Sequence, residues 1–157
     1  MLIDDDKFWA QATIRGLAEK FEVVYISDPS EAIVFFEDRY DYDGIILDIM
    51  MESPEGVGSE TEGGQLTGVY VLQRIAKAVS VQKVPVLLLT NHHDIARIEA
   101  LVFSIQDLDT NVSVLSKHAV SRKELPNVIQ QQIVDRSLPA PDPAINKFSD
   151  DSEFNKD

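Results

Sequence analysis

Five residues with chemically useful side chains follow short apolar runs in this sequence. They are Asp4, Asp5, Asp48, Thr90 and Lys117. Crowded carboxylates repel one another, and a hard divalent cation with oxygen ligands is the usual relief. Mg2+ suits such a site because it keeps several waters and binds through one or two carboxylates together with a phosphate. A carboxylate in this setting can act as a nucleophile toward a phosphoryl group. An ammonium group can then neutralise the charge on the phosphoryl oxygens during transfer.

The elements that must position these side chains are four apolar runs separated by helical patterns. The runs cover residues 2–3, 44–47, 84–89 and 112–116. Such short runs are typical of buried parallel strands. In an open parallel sheet the carboxyl ends of the strands form the ligand crevice. We therefore expect the carboxylates, the hydroxyl and the ammonium group to meet at one edge of one sheet.

Strand and helix patterns alternate along the whole chain. The predicted strands are residues 1–4, 22–27, 43–51, 84–90 and 112–116, and the predicted helices are 6–20, 28–39, 67–80, 94–105 and one after Ser121. Ser121 and Glu124 form a capping-box pattern before this last helix, and Pro126 could delay or kink its start. Right-handed crossovers then place helices on both faces of a doubly wound parallel sheet.

Composition narrows the class of protein. The 157 residues are 44% hydrophobic, which suits a single domain with one core. The absence of cysteine excludes disulfides and thiolate metal sites. We expect no membrane insertion, since no apolar run is long enough to span a bilayer, and we expect a cytoplasmic protein. The net charge of −13 argues against direct nucleic acid binding.

The negative charge is concentrated in two segments. Residues 52–66 contain four glutamates, no basic residue and four of the seven glycines, so we expect a long mobile loop there. That loop could be a tolerated surface insertion, or it could be a lid or a partner-recognition element. Residues 137–157 are acidic and contain prolines, which predicts a disordered tail. The folded domain should therefore span residues 1–136.

Taken together and in order, these motifs resemble the receiver domain of two-component response regulators. The resemblance covers residues 1–136. The motifs that carry it are Leu2-Ile3-Asp4-Asp5-Asp6, Tyr42-Asp43-Gly44-Ile45-Ile46-Leu47-Asp48, Val84-Pro85-Val86-Leu87-Leu88-Leu89-Thr90 and Lys117. The resemblance implies a (βα)5 flavodoxin-like α/β fold with strand order 2-1-3-4-5.

The resemblance also implies roles for the residues at the sheet edge. Asp48 would be the phosphoacceptor, with Lys117 and Thr90 contacting the phosphoryl oxygens. Mg2+ (or Mn2+) would bind directly to Asp5 and Asp48, and to Asp4 through a water. The backbone carbonyl of Met50 would complete the protein ligands. Such a protein is not an enzyme, although it catalyses its own phosphorylation and dephosphorylation.

The implied function is that of a stand-alone receiver, similar to chemotaxis regulators. It would take a phosphoryl group from a histidine kinase or phosphotransfer protein and signal to a downstream protein target that the sequence does not identify. Phosphorylation could also drive homodimerisation.

Three positions depart from the receiver pattern. His118 follows Lys117 where proline is usual, Val114 replaces an aromatic residue, and Asn91 replaces a small one. The first two slightly favour an alternative, a pseudo-receiver that acts as an interaction module without phosphorylation. The presence of Asp5, Asp48, Thr90 and Lys117 counts against this alternative. A phosphatase of the haloacid-dehalogenase type is disfavoured, since Met50 stands where its second aspartate would be.

Several of these residues also have ordinary structural interpretations. Asp5 or Asp6 could cap the first helix. His92 and His93 are adjacent rather than at helical metal-ligand spacing, so we interpret them as polar loop residues. Phe8 and Trp9 are interpreted as core or half-buried residues, although one of them could lie at a docking surface.

Overall fold

The computed structural model describes residues 1–38 and 41–137. The strands are β1 (Leu2–Ile3), β2 (Tyr25–Ile26), β3 (Ile45–Asp48), β4 (Val86–Thr90) and β5 (Val112–Ser116). The helices are α1 (Lys7–Leu17), α2 (Pro29–Phe35), α3 (Thr67–Val81), α4 (Ile95–Phe103) and α5 (Leu125–Ser137), with a 3-10 turn over Phe36–Asp38. The tail predicted to be disordered falls almost entirely outside the described residues.

All five strands pair in parallel, in the order β2-β1-β3-β4-β5. This order confirms the predicted doubly wound sheet. Ile3 pairs with Leu47, and Asp48 pairs with Leu89 in the next strand. The register therefore brings the carboxyl ends of β1, β3 and β4 to the same edge of the sheet.

Successive residues of each strand point to opposite faces of the sheet, so the strands supply two cores. Leu2, Ile46 and Leu87 pack on the face that α1 and α5 cover, where Ala10, Leu17, Leu125 and Ile129 are buried. Ile3, Leu47 and Leu88 belong to the other core, which α2, α3 and α4 cover. Because β3 and β4 are buried on both faces, their sequences are continuously apolar rather than alternating.

The strand ends differ from the sequence prediction. The second strand is two residues long, against the six that were predicted, because β1 offers it only Leu2 and Ile3 as partners. The third strand is four residues long and stops at Asp48. After Asp48 the chain turns from the sheet toward the start of α3.

The interpretation of Phe8 as a core or half-buried residue was wrong, because its side chain is 80% exposed. Helix α1 instead buries Ala10, Thr13 and Leu17, which share one face at spacings of three and four residues. Phe8 precedes Ala10 by two residues, which is about 200° of helical rotation, so it points away from the sheet.

The predicted capping box at the start of α5 is present. The Glu124 backbone N–H donates to Ser121 Oγ, and the Ser121 backbone N–H donates to Glu124 Oε2. The helix itself begins at Leu125, which places Pro126 within its first turn, where proline is tolerated. None of the helices in the described part of the chain combines the length and the apolar character needed to cross a membrane.

Candidate functional site

Three aspartates form an acidic cluster at the carboxyl edge of the sheet. Asp4 follows β1 and is fully buried, while Asp48 ends β3 and is 4% exposed. Asp5 is adjacent and more exposed, and one carboxylate oxygen from each of the three residues lies within 4.8 Å of the others. The sequence prediction that these carboxylates meet is therefore confirmed by the geometry.

Lys117 lies between two of these carboxylates. Its Nζ is 2.9 Å from Asp4 Oδ2 and 3.2 Å from Asp48 Oδ2, and its side chain is nearly buried. Lys117 is the first residue after β5. Its backbone N–H donates to the carbonyl of Thr90 at 2.9 Å. Hence the ends of β4 and β5 are joined directly at the site.

Burial and mutual repulsion perturb the ionisation of the cluster. Burial, followed by the negative charge of Asp4, raises the pKa of Asp48 to about 7, although Lys117 opposes the shift. Burial also raises the pKa of Asp4, again against the hydrogen bond from Lys117. Burial would lower the pKa of Lys117, but the charges of Asp48 and Asp4 more than offset this and raise it. One ammonium group is therefore not enough to balance the buried carboxylates.

Asp48 Oδ1 is buried and has no hydrogen-bond partner among the described residues. A buried carboxylate oxygen without a partner is costly. A cation with oxygen ligands would satisfy it and relieve the repulsion of Asp4 and Asp5 at the same time. The donor set therefore fits a divalent cation such as Mg2+.

The capping interpretation applies to Asp6 and leaves the other aspartates available. Asp6 accepts a hydrogen bond from the Trp9 backbone N–H at 3.0 Å and caps α1. Asp4 Oδ1 accepts from the Asp6 backbone N–H, and Asp5 Oδ2 accepts from the Glu52 backbone N–H at 2.7 Å. Backbone donors therefore orient both remaining carboxylates.

The start of α3 packs directly beneath Asp48. A Cβ on Gly68 would lie only 2.2 Å from the Asp48 backbone oxygen, so only glycine permits this approach. The Gly68 N–H also donates to the Ile49 carbonyl, and the Thr67 hydroxyl donates to the Met51 carbonyl at 2.8 Å. These contacts fix the backbone on the carboxyl side of Asp48.

Residues 52–66 fold into hydrogen-bonded turns beside the cluster. Thr61 is fully buried, and its hydroxyl lies 2.6 Å from Ser53 Oγ and donates to the Val57 carbonyl. Glu62 forms an ion pair with Arg97 on α4. The acidic insertion is thus attached to the molecule on two sides, at Asp5 through Glu52 and at α4 through Glu62.

Thr90 is fully buried at the end of β4, and the loop after it is organised by a histidine. The His92 backbone N–H donates to Thr90 Oγ1 at 2.9 Å, and His92 Nδ1 accepts from the Asp94 backbone N–H. His92 is 7% exposed as a residue, and its ring stacks on the ring of His93. Sequence reasoning missed this role, since only its position two residues after Thr90 could have indicated it.

Two further observations concern residues near the cluster. Met50 exposes 38% of its surface, and the assignment of its backbone carbonyl as a ligand stays a prediction. The Trp9 ring lies against the ammonium group of Lys117, with Nζ 4.2 Å from the ring centroid. The sequence did not indicate this contact, because Trp9 and Lys117 come from opposite ends of the described chain.

Comparison with solved structures identifies the class of fold. A response regulator receiver protein from Sinorhizobium medicae WSM419 aligns with 86% of this chain and 93% of its own, at 19% identity and a TM-score of 0.61. A CheY-like response regulator receiver domain protein from Methanospirillum hungatei JF-1 aligns with 87% and 93%, at 19% identity and a TM-score of 0.62. The receiver domain of the Francisella response regulator 1452 aligns with 85% and 94%, at 23% identity and a TM-score of 0.60.

These similarities show that the chain has the CheY-like, flavodoxin-like fold of response regulator receiver domains. The flavodoxin-like topology implied by the sequence motifs is therefore confirmed. No protein-family model and no curated protein matches the sequence.

Proposed function

We propose that this protein is a response regulator receiver that accepts a phosphoryl group on Asp48 in the presence of Mg2+. The observation that carries the proposal is the placement of Asp48. One of its oxygens faces Lys117, and the other is buried beside Asp4 and Asp5 with no hydrogen-bond partner in the described part of the chain. The receiver-like fold of the chain supports the same function.

The donor would be a phosphohistidine on a histidine kinase or a phosphotransfer protein. The phosphorus–nitrogen bond of the donor breaks, a bond forms between phosphorus and an Asp48 carboxylate oxygen, and the imidazole leaves with the electron pair. Asp5 and Asp48 would bind Mg2+ (or Mn2+) directly, Asp4 through a water, and Met50 through its carbonyl. When bound, the cation neutralises the carboxylates and the phosphoryl oxygens.

Lys117 and Thr90 supply the remaining contacts to the phosphoryl group. The Lys117 ammonium already touches Asp48, so a small shift would bring it to a phosphoryl oxygen. The Thr90 hydroxyl accepts a hydrogen bond from the His92 backbone, and its own O–H remains able to donate. Reorientation of Thr90 would therefore move the loop that His92 and Asp94 form, which would change the surface near α4.

The proposed output is a protein–protein contact with a downstream target. The net charge of −13 disfavours a direct contact with nucleic acid. In this scheme the protein is a signalling module, and its only catalysis is its own phosphorylation and dephosphorylation.

The test is intact-mass analysis after incubation with Mg2+ and acetyl phosphate, and with a phosphorylated histidine phosphotransfer protein. We expect one added phosphoryl group in the wild type and none in Asp48→Ala. Asp107→Asn, in an exposed turn far along the chain, is the matched control and should be labelled normally.

Labelling that persists in Asp48→Ala would refute the assignment of the acceptor. If neither donor labels the wild type and no Mg2+ binding is detected, the protein is instead a pseudo-receiver that binds its partner without phosphorylation.

A further inference from the structure

Lys117 has an aromatic neighbour as well as two carboxylates. Its ammonium group donates toward Asp4 and Asp48 and also lies 4.2 Å from the centroid of the Trp9 ring. This distance is within the range in which an ammonium group is attracted to an indole face. Trp9 is the only tryptophan in the chain.

The position of Trp9 is tied to the acidic cluster through the backbone. Asp4 Oδ1 accepts from the Asp6 N–H at 2.8 Å, and Asp6 Oδ1 accepts from the Trp9 N–H at 3.0 Å. The Thr13 hydroxyl donates to the Trp9 carbonyl at 2.9 Å. The first turn of α1 is therefore held relative to Asp4, and the indole ring is held beside Lys117.

Beside Lys117 lies a cavity of about 570 Å³. Trp9 and Lys117 line it together with His118, Arg122 and Lys123. Trp9 and Lys117 therefore lie side by side in the wall of this cavity. The indole ring covers one side of the ammonium group, while Asp4 and Asp48 contact the same group.

We infer that Trp9 is a positioning residue for Lys117 in phosphoryl transfer. This inference rests on the proposed function. To stabilise the transferred phosphoryl group, Lys117 must exchange a carboxylate oxygen for a phosphoryl oxygen. The indole face attracts the ammonium group without offering an oxygen that competes for its N–H groups, so it restrains the charge while leaving this exchange free.

The experiment compares Trp9→Leu, which removes the aromatic face, with Trp9→Phe, which keeps one. Phe103→Leu is the matched control, since Phe103 is an exposed aromatic residue at the end of α4. The phosphorylation rate is measured by intact mass with a donor that labels the wild type, and the Mg2+ affinity is measured by calorimetry.

We expect Trp9→Leu to slow phosphorylation by about tenfold, the size expected when a partly desolvated cation–π contact is lost. Trp9→Phe should recover most of the rate, and Phe103→Leu should match the wild type. Mg2+ affinity should stay within about twofold in all three variants, because the ring contacts the ammonium group rather than the proposed ligands Asp5 and Asp48.

A wild-type rate in Trp9→Leu would overturn the inference. A Trp9→Phe variant as slow as Trp9→Leu, or a parallel loss of Mg2+ affinity, would also overturn it and assign the ring to packing alone. Failure of the wild type to accept a phosphoryl group from either donor would instead refute the proposed function, and the role of Trp9 would fall with it.

Discussion

The raised pKa of Asp48 predicts that its charge destabilises the metal-free protein near neutral pH. The perturbation is Asp48→Asn, which keeps the shape of the side chain and removes its charge. Raising the pKa from 3.8 to about 7 corresponds to about 4 kcal/mol of unfavourable free energy for the ionised carboxylate in the folded state. Burial and the charge of Asp4 are its main sources.

The sign follows from proton linkage. The folded protein holds the Asp48 proton more tightly than the unfolded chain does. Below the unfolded pKa, Asp48 is protonated in both states and does not lower the stability of the fold. The cost then grows as pH rises from 3.8 to about 7 and is constant above that window. It amounts to about 1.5 kcal/mol near pH 5 and about 4 kcal/mol near pH 8.

We therefore expect the stability of Asp48→Asn relative to the wild type to increase by roughly 2–3 kcal/mol between about pH 5 and about pH 8. The assay is urea unfolding in the presence of a chelator at both pH values. Asp107→Asn serves as the control, because Asp107 is exposed and asparagine tolerates its positive φ of 65°. A pH-independent difference between Asp48→Asn and the wild type would refute the reasoning.

Three further predictions concern the surroundings of Asp48. Gly68→Ala should cost about 2 kcal/mol or more, because the new Cβ would overlap the Asp48 backbone oxygen; Gly58→Ala, with open space around it, should cost far less in the same unfolding assay. Asp5→Ala should stabilise the metal-free protein, since Asp5 repels Asp48, and should abolish Mg2+ binding; unchanged affinity in calorimetry would exclude Asp5 as a ligand. Thr61→Val should cost about 1–3 kcal/mol by removing a buried hydroxyl that bonds Ser53 and Val57, and should speed hydrogen exchange in residues 53–64; unaltered exchange would show that these hydrogen bonds do not hold the insertion.

Much of the fold was predictable because the strands are short, apolar and separated by helical patterns. The runs ending at Asp48 and Thr90 are buried on both faces, and a continuous apolar run is what such strands require. Strand ends were less predictable. A strand continues only where a neighbour pairs with it, so the length of β2 depended on β1 rather than on its own residues.

The rotation of a helix and the hydrogen bonds within a loop were not predictable in the same way. The broad apolar pattern of the first helix did not show that Phe8 points to solvent, because the rotation of the helix is set by its packing on the sheet. The sequence indicated that His92 is an ordinary polar loop residue, yet its backbone N–H donates a hydrogen bond to the Thr90 hydroxyl. Neither feature has a periodic signal in the sequence.

By itself, the sequence determined which chemical groups the site contains and that they would share one edge of the sheet. Parallel strands place their carboxyl ends together, so Asp4, Asp48 and Thr90 had to lie at the same edge once the strands were recognised. Only the tertiary structure decided how these groups interact. It showed that Lys117 bridges Asp4 and Asp48 and that Trp9 covers Lys117. It also showed that one oxygen of Asp48 finds no hydrogen-bond partner within residues 1–38 and 41–137. These contacts depend on strand register, helix rotation and loop path, which pack residues from opposite ends of the chain within a few ångströms.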